Sequence, residues 1–246
     1  QAMNYHSLGN VLPKIVNDFG VTIILSVITG EDAQTYSVNA CLENATPAAY
    51  NLVDRAYLVK GNMERPDGLP FERLTGMYFT RESDNSTYLL NTAIPEPVAP
   101  ALCFIYANKT NATINILKKT KSSMDDRDQW GNLIEKYTVR DADVPIYWYN
   151  TLRSDKIQNN GKLDQTIYAA YVPTRYNICK GDKITKKDFI NGGYNDEVFT
   201  VESVETAMVT TIPETGQLLG IVSIQLTKNI NKVLVEDGES EGETEI

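Results

Sequence analysis

The sequence predicts an α+β fold made mostly of antiparallel hairpins, on three observations. Short runs with an apolar residue at every second position recur along most of the chain, bounded by Gly, Asn, Asp and Pro, and they give roughly eight to ten strands. Apolar residues at helical spacing occupy only about three or four segments. Most neighbouring strands are joined by connections too short for a crossover helix, and no repeat of constant period is present, so antiparallel sheets are expected.

The elements follow in chain order. In NVLPKIVNDF, 10–19, Leu12, Ile15, Val16 and Phe19 fall at helical spacing, and Pro13 suits the first turn of a short lead helix. Val21, Ile23, Leu25 and Val27 then alternate, GED interrupts, and Tyr36, Val38, Ala40 and Leu42 resume the alternation, which predicts a hairpin. The segment TPAAYNLVDRAYLVKG, 46–61, reads as the best helix in the sequence. Thr46 is its cap, Pro47 its first residue, and Tyr50, Val53, Asp54 and Tyr57 form one side before Gly61 ends it. NMERPDGLPFER reads as irregular surface chain.

Two further hairpins are expected, GMYFTR with STYLLNTA across ESDN, and ALCFIYAN with ATINILKK across KTN. Between them, Pro95, Pro97 and Pro100 exclude a central strand and mark either a linker or a stiff crossover within one domain. The division is therefore an N-terminal α+β part over 1–94 and a C-terminal α+β part over 101–235, or one continuous domain. Residues 121–140 predict a helix with Trp130, Leu133, Ile134 and Tyr137 on one stripe and Asp125, Asp126 and Asp128 at its amino end. IYWYNTL and TIYAAYVPT are strands on either side of an NNGK turn. The body closes with VFTVESVETAMVTTI paired to LLGIVSIQLT, whose two faces are about equally apolar, as expected of a strand central in its sheet.

Composition narrows the function classes. With 42% hydrophobic and 22% charged residues the chain belongs among globular proteins. Its net charge is −9, and six acids lie from Glu236 onward, so 236–246 reads as an acidic, disordered tail on a mildly acidic body. The densest basic stretch, KKTKSS, runs straight into DDRD, and a nucleic-acid partner is not expected. The longest apolar run, GVTIILSVITG, is too short to span a bilayer. No signal peptide is evident and the opening Gln-Ala-Met resembles an expression remnant, so a domain excised from a membrane-tethered protein fits as well as a cytoplasmic one. Cys41, Cys103 and Cys179 lack zinc-site spacing and read as small buried hydrophobes, with one disulfide as the alternative. Sequons at Asn44, Asn85, Asn108 and Asn111 mark loops.

Little in the chain points to catalysis. His6 is the single histidine, which excludes multi-histidine metal sites and leaves no triad in the body. The dinucleotide, phosphate-loop and nucleophile-elbow glycine motifs are absent. Carboxylate pairs such as Asp125 with Asp126, Asp141 with Asp143, and Glu202 with Glu205 read as solvated charges. They leave a hydrolase as a third reading only. No enzyme, cofactor or metal is expected. The candidate ligand set is aromatic and cationic: Tyr147, Trp148, Tyr149, Arg153, Tyr168 and Arg175. Tyrosines offer ring area and hydroxyls, and an arginine can hold a carboxylate through two parallel bonds. The competing reading is that these residues fill a two-faced core or a chain–chain interface.

Two family resemblances bear on function. The ending ETAMVTTIPETGQLLGIVSIQLTKNI, with Gly216, Gly220, Ile221, Val222 and Ile224, resembles the last hairpin of extracytoplasmic sensor domains of the Cache kind, which have PAS-like folds. That resemblance implies a lead helix leaving the membrane and aromatic and Arg side chains around an amino-acid or carboxylate ligand. Residues 172–189, through Ile178, Gly181, Ile184, Thr185 and Asp188, resemble the SAF module, a β-clip of pilus-assembly and flagellar chaperone proteins. Gly181 would allow its tight turn and Thr185 would cap a short helix KKDF. The leading expectation is a non-enzymatic extracytoplasmic or cell-surface domain that senses or binds a small polar or carboxylate-bearing molecule. The alternative is a structural or assembly module of a pilus-type or cell-surface system, with homo-oligomer formation open in both.

Overall fold

The computed structural model describes residues 5–29, 32–44, 58–120, 131, 135–151, 167–187, 194–211, 216, 218–228 and 234–236. The expected α+β class gives way to an almost wholly β architecture of two closed six-stranded antiparallel barrels. Among the described residues there is one α-helix, α1 (Tyr5–Phe19). It starts before the expected Asn10, so Pro13 lies in its interior instead of its first turn. The first barrel contains β1 (Val21–Thr29), β2 (Asp32–Asn44), β3 (Leu58–Glu64), β4 (Tyr78–Arg81), β5 (Ser86–Pro95) and β6 (Leu102–Lys109). Its circular order is β1-β2-β3-β6-β5-β4, with β4 closing on β1 through Ile23–Ser26.

The second barrel is made of β7 (Ala112–Lys119), β8 (Lys136–Thr151), β9 (Ile167–Pro173), β10 (Lys183–Lys187), β11 (Tyr194–Thr211) and β12 (Leu218–Lys228). They run in the order β8-β7-β10-β11-β12-β9, and β9 returns to β8. A short β13 (Leu234–Glu236) adds in parallel to the start of β8. Closure matters physically because it gives every barrel strand a neighbour on both sides along part of its length, which limits the exposed edge.

Three local expectations fail for one reason, and a fourth for another. Leu58–Gly61, the expected end of the best helix, belongs to β3, and its alternating burial has period two instead of 3.6. The remainder of that helix, 46–57, lies outside the described residues. Tyr137, placed on a helical stripe, sits in β8 and is buried with Leu117 and Val198. Residues 121–130 and 132–134 of that stripe lie outside the described residues. Thr185 caps no helix, since it pairs with Val198 inside β10. In each case residues two apart on a strand and three or four apart on a helix satisfy the same short apolar pattern, and tertiary pairing decides. Finally, β6 and β7 form no hairpin: β6 pairs with β3 and β5, while β7 pairs with β8 and β10. The chain passes between barrels at Thr110–Asn111, and the proline segment connects β5 to its own neighbour β6.

The expected hairpins β1–β2, β4–β5 and β11–β12 are present. In the ESDN turn, Asp84 accepts from the Arg81 guanidinium and from both the amide and hydroxyl of Ser86, and Asn85 takes a positive φ of 52°. These donors, Arg81 foremost, hold the Asp84 carboxyl well below its ordinary range.

Each barrel is filled by its inward positions. Ile23, Leu25, Phe79, Leu90 and Ile105 fill the first, and Ile114, Ile116, Ile146, Ile184 and Ile224 the second. β12 is shared: Ile224 and Leu226 enter its own barrel, while Leu219 belongs to the core of the first. That double duty explains the two apolar faces of its sequence, and β12 does lie between β11 and β9. Tyr78, Leu89 and Ile221 make the apolar junction between barrels, flanked by Tyr171. There the Tyr78 hydroxyl donates to the Pro145 carbonyl at 2.5 Å. Tyr78→Phe is expected to cost about 1–3 kcal/mol in urea unfolding, because a polar group in the buried junction loses its partner; a loss under about 0.5 kcal/mol would refute this.

Candidate functional site

The five described residues of the expected ligand set do not share one site. Trp148 points into the second barrel, where its ring lies 5.1 Å from Phe199 and 5.6 Å from Tyr168. Its backbone is clamped by the Asn111 side chain, which donates to the Trp148 carbonyl at 2.8 Å and accepts from its amide at 2.6 Å. The Lys186 ammonium lies 4.8 Å from the ring. Tyr147 and Tyr149 occupy the opposite face of β8, as strand alternation requires, and stack with each other and with Tyr171. The Tyr149 hydroxyl is 3.1 Å from that of Ser223. Arg153 lies outside the described residues. Trp148 and Tyr168 are therefore core, and Tyr147 and Tyr149 are packing on the outer face of the barrel.

Of the described members of the set, Arg175 borders an open groove. It sits in a single 3-10 turn, Thr174–Tyr176, that follows β9 and ends at Asn177 in a left-handed conformation. Its guanidinium carbon lies 5.0 Å from the ring centres of both Tyr78 and Tyr176. Nη2 donates to the Tyr176 hydroxyl at 3.3 Å, and Nη1 lies 3.6 Å from the Met77 sulfur. Nε is buried without an acceptor. Burial first, then Tyr176, pushes the Tyr78 phenol well above its ordinary value, with Arg175 partly opposing, so Tyr78 stays a hydrogen-bond donor.

Beyond Arg175 the groove, of about 390 Å³, has an apolar floor of Ile178, Val209, Leu218 and Val222 with Thr174, Asn177 and Thr206 at its margins. The turn that carries Ile178 is built as the sequence suggests. Gly181 has φ of 94°, and the Cys179 amide donates to Asp182. Strand β10 follows in place of the expected helix, which overturns the helical half of the β-clip resemblance. Val209, Leu218 and Val222 had no place in the sequence reading of a site. The only hint was the apolar second face of the last strand pair.

The other expected chemistry disperses. Asp141 pairs with Arg140 and Asp143 with Lys187. Glu202 accepts from Thr227 and Glu205 from Gln225. Asp125 and Asp126 lie outside the described residues. Among the described residues no group of three or more His, Cys, Asp or Glu is placed to hold a metal. Cys41, Cys103 and Cys179 are all unpaired, and burial pushes the Cys103 thiol up to about 12. Among the described residues no helix is long and apolar enough to cross a membrane. The β11–β12 hairpin lies within a barrel and does not end a PAS-like sheet, so the likeness drawn from the closing hairpin does not extend to the fold. No known protein family matches the chain, and no curated protein and no solved structure is significantly similar to it.

Proposed function

We propose that the chain is a structural module that assembles with further copies of itself through apolar side-chain patches. The observation that carries this reading is a stripe on α1. Val11, Ile15 and Phe19, each four residues apart, are 46%, 40% and 79% exposed. Leu12 and Val16 on the other side of the helix pack on Ala99, Leu102 and Cys41. The helix is thus fixed to the first barrel by one apolar face and presents a second to the surroundings. Residues four apart lie on one side of a helix, so the three form a continuous ridge.

Two further features support assembly. Both barrel interiors are filled, which suits a scaffold better than a carrier of a small ligand. The paired strands of β11 and β12 also carry the exposed Met208 and Leu218 on the second barrel. Unlike patches on one chain join head to tail, giving a ring or a filament, whereas a two-fold dimer joins like to like.

Light scattering across a range of concentrations tests this. The expected result is mass above the monomer that rises with concentration beyond the dimer. Ile15→Asp should return the protein to monomer without changing its melting temperature, since the side chain lies on the outer face. A wild-type chain that stays monomeric throughout would sink the proposal.

A further inference from the structure

We propose, resting on the assembly reading, that the end of α1 from one copy docks in the Arg175 groove of the next, with Phe19 on the apolar floor and Asp18 paired with Arg175. Each side of this contact carries what the other lacks. Phe19 is the most exposed large hydrophobic residue among those described. Ile178, Val209, Leu218 and Val222 form a floor open to the surroundings, and an aromatic side chain buries roughly 150–250 Å² when it fills such a place.

The charges match in the same way. Asp18 is exposed in the last turn of α1, a turn with no basic residue, and it makes no ion pair among the described residues. A negative charge there faces the negative end of the helix dipole, so a cation from outside is favoured. Among the described residues Arg175 makes no ion pair with a carboxylate of its own chain, and no acidic residue lines the groove. By contrast, Arg81 and Arg140 both hold carboxylates, Asp84 and Asp141. The Tyr78 and Tyr176 rings fix the Arg175 guanidinium in place, so little freedom is lost when an anion arrives.

Within one chain α1 packs on β2 and β3 of the first barrel, whereas the groove belongs to the second. The same two surfaces can therefore meet between successive copies, and the contact is head to tail. Its ion pair gives register and its aromatic anchor gives affinity.

Charge exchange tests the pairing. Asp18→Arg alone and Arg175→Asp alone should each weaken association by at least about tenfold in sedimentation velocity, and the double variant should recover to within about threefold of wild type. Leu218→Asp, at the exposed member of the groove's apolar floor, should weaken association by a similar factor while leaving Arg175 untouched, which covers the case in which Arg175→Asp fails to fold. If wild type associates but Asp18→Arg and Leu218→Asp associate as strongly, this docking is wrong while assembly stands. If the double variant is as weak as either single one, the pairing is wrong. If wild type does not associate at all, the assembly reading itself fails.

Discussion

Replacing Trp148 with alanine is expected to lower the unfolding free energy by about 3–5 kcal/mol in urea titration. The indole is buried inside the second barrel against Phe199, Tyr168 and the Lys186 ammonium. Removing it leaves a cavity that the neighbours are poorly placed to fill. β8 is hydrogen-bonded to β7 and β9, and Asn111 pins the backbone at position 148. A strand held on both sides cannot move inward, so the loss includes both the transfer of the ring and an unrelaxed void. Lys186 also loses the aromatic face over which its charge lies. A measured loss below about 1 kcal/mol would mean that the ring is not core and would reopen its reading as a ligand contact.

The second large effect is expected at Gly220. This residue lies within β12 opposite Val209, with φ of 148°. A β-carbon there would stand 2.0 Å from the Met208 carbonyl oxygen and 2.8 Å from the Val209 α-carbon, both backbone atoms of the neighbouring strand. The other side is equally close, because a β-carbon on Gly76 of the first barrel would meet the Gly220 carbonyl oxygen at 2.4 Å. Gly220→Ala therefore forces the β11–β12 ladder apart beside the junction between barrels. Strain and lost pairing together should cost about 3–5 kcal/mol. Gly68→Ala is the matched control: its φ is 74° but nothing lies within 4 Å of the added carbon, so only the backbone conformation resists, at about 1–2 kcal/mol. Thermal unfolding of the two variants side by side measures the difference, and equal shifts would refute the close-approach argument.

The parts of this fold that sequence made legible are local. Val21, Ile23, Leu25 and Val27 alternate and turn back into Tyr36, Val38 and Ala40 within a few residues, so periodicity alone pairs β1 with β2. Barrel closure is different in kind. The pairings β1–β4 and β3–β6 join strands far apart in the chain, and nothing in their residue types distinguishes a closed sheet from an open one. The lead helix shows a related ambiguity. Leu12, Ile15, Val16 and Phe19 read as one apolar side, but the structure divides them: Leu12 and Val16 face the barrel, Ile15 and Phe19 face outward. A helix apolar over so wide an arc has two faces to satisfy, and sequence does not say which is already covered.

The candidate site was legible only in its cation. Arg175 stood out because it follows an aromatic strand and precedes a glycine turn. The floor beside it depends on irregular pairing in the β11–β12 ladder, where the register shifts between Thr206 and Met208. A register shift changes which side chains share a face, and it leaves no mark in an alternating pattern. In IYWYN the aromatic residues lie on both faces of one strand, which suits a barrel wall packed inside and out, as Trp148 and Tyr147 are.

Leu219 bears on how the molecule is made. A chain leaving the ribosome releases the six strands of the first barrel well before β12, yet one wall of that barrel's core is supplied by Leu219 near the other end of the sequence. Until β12 has emerged, the first barrel has all its strands but lacks Leu219, and Tyr78 and Leu89 lack Ile221, so the nascent chain exposes apolar surface there. The first barrel thus reaches its final packing only once β12 of the second has emerged and can supply Leu219.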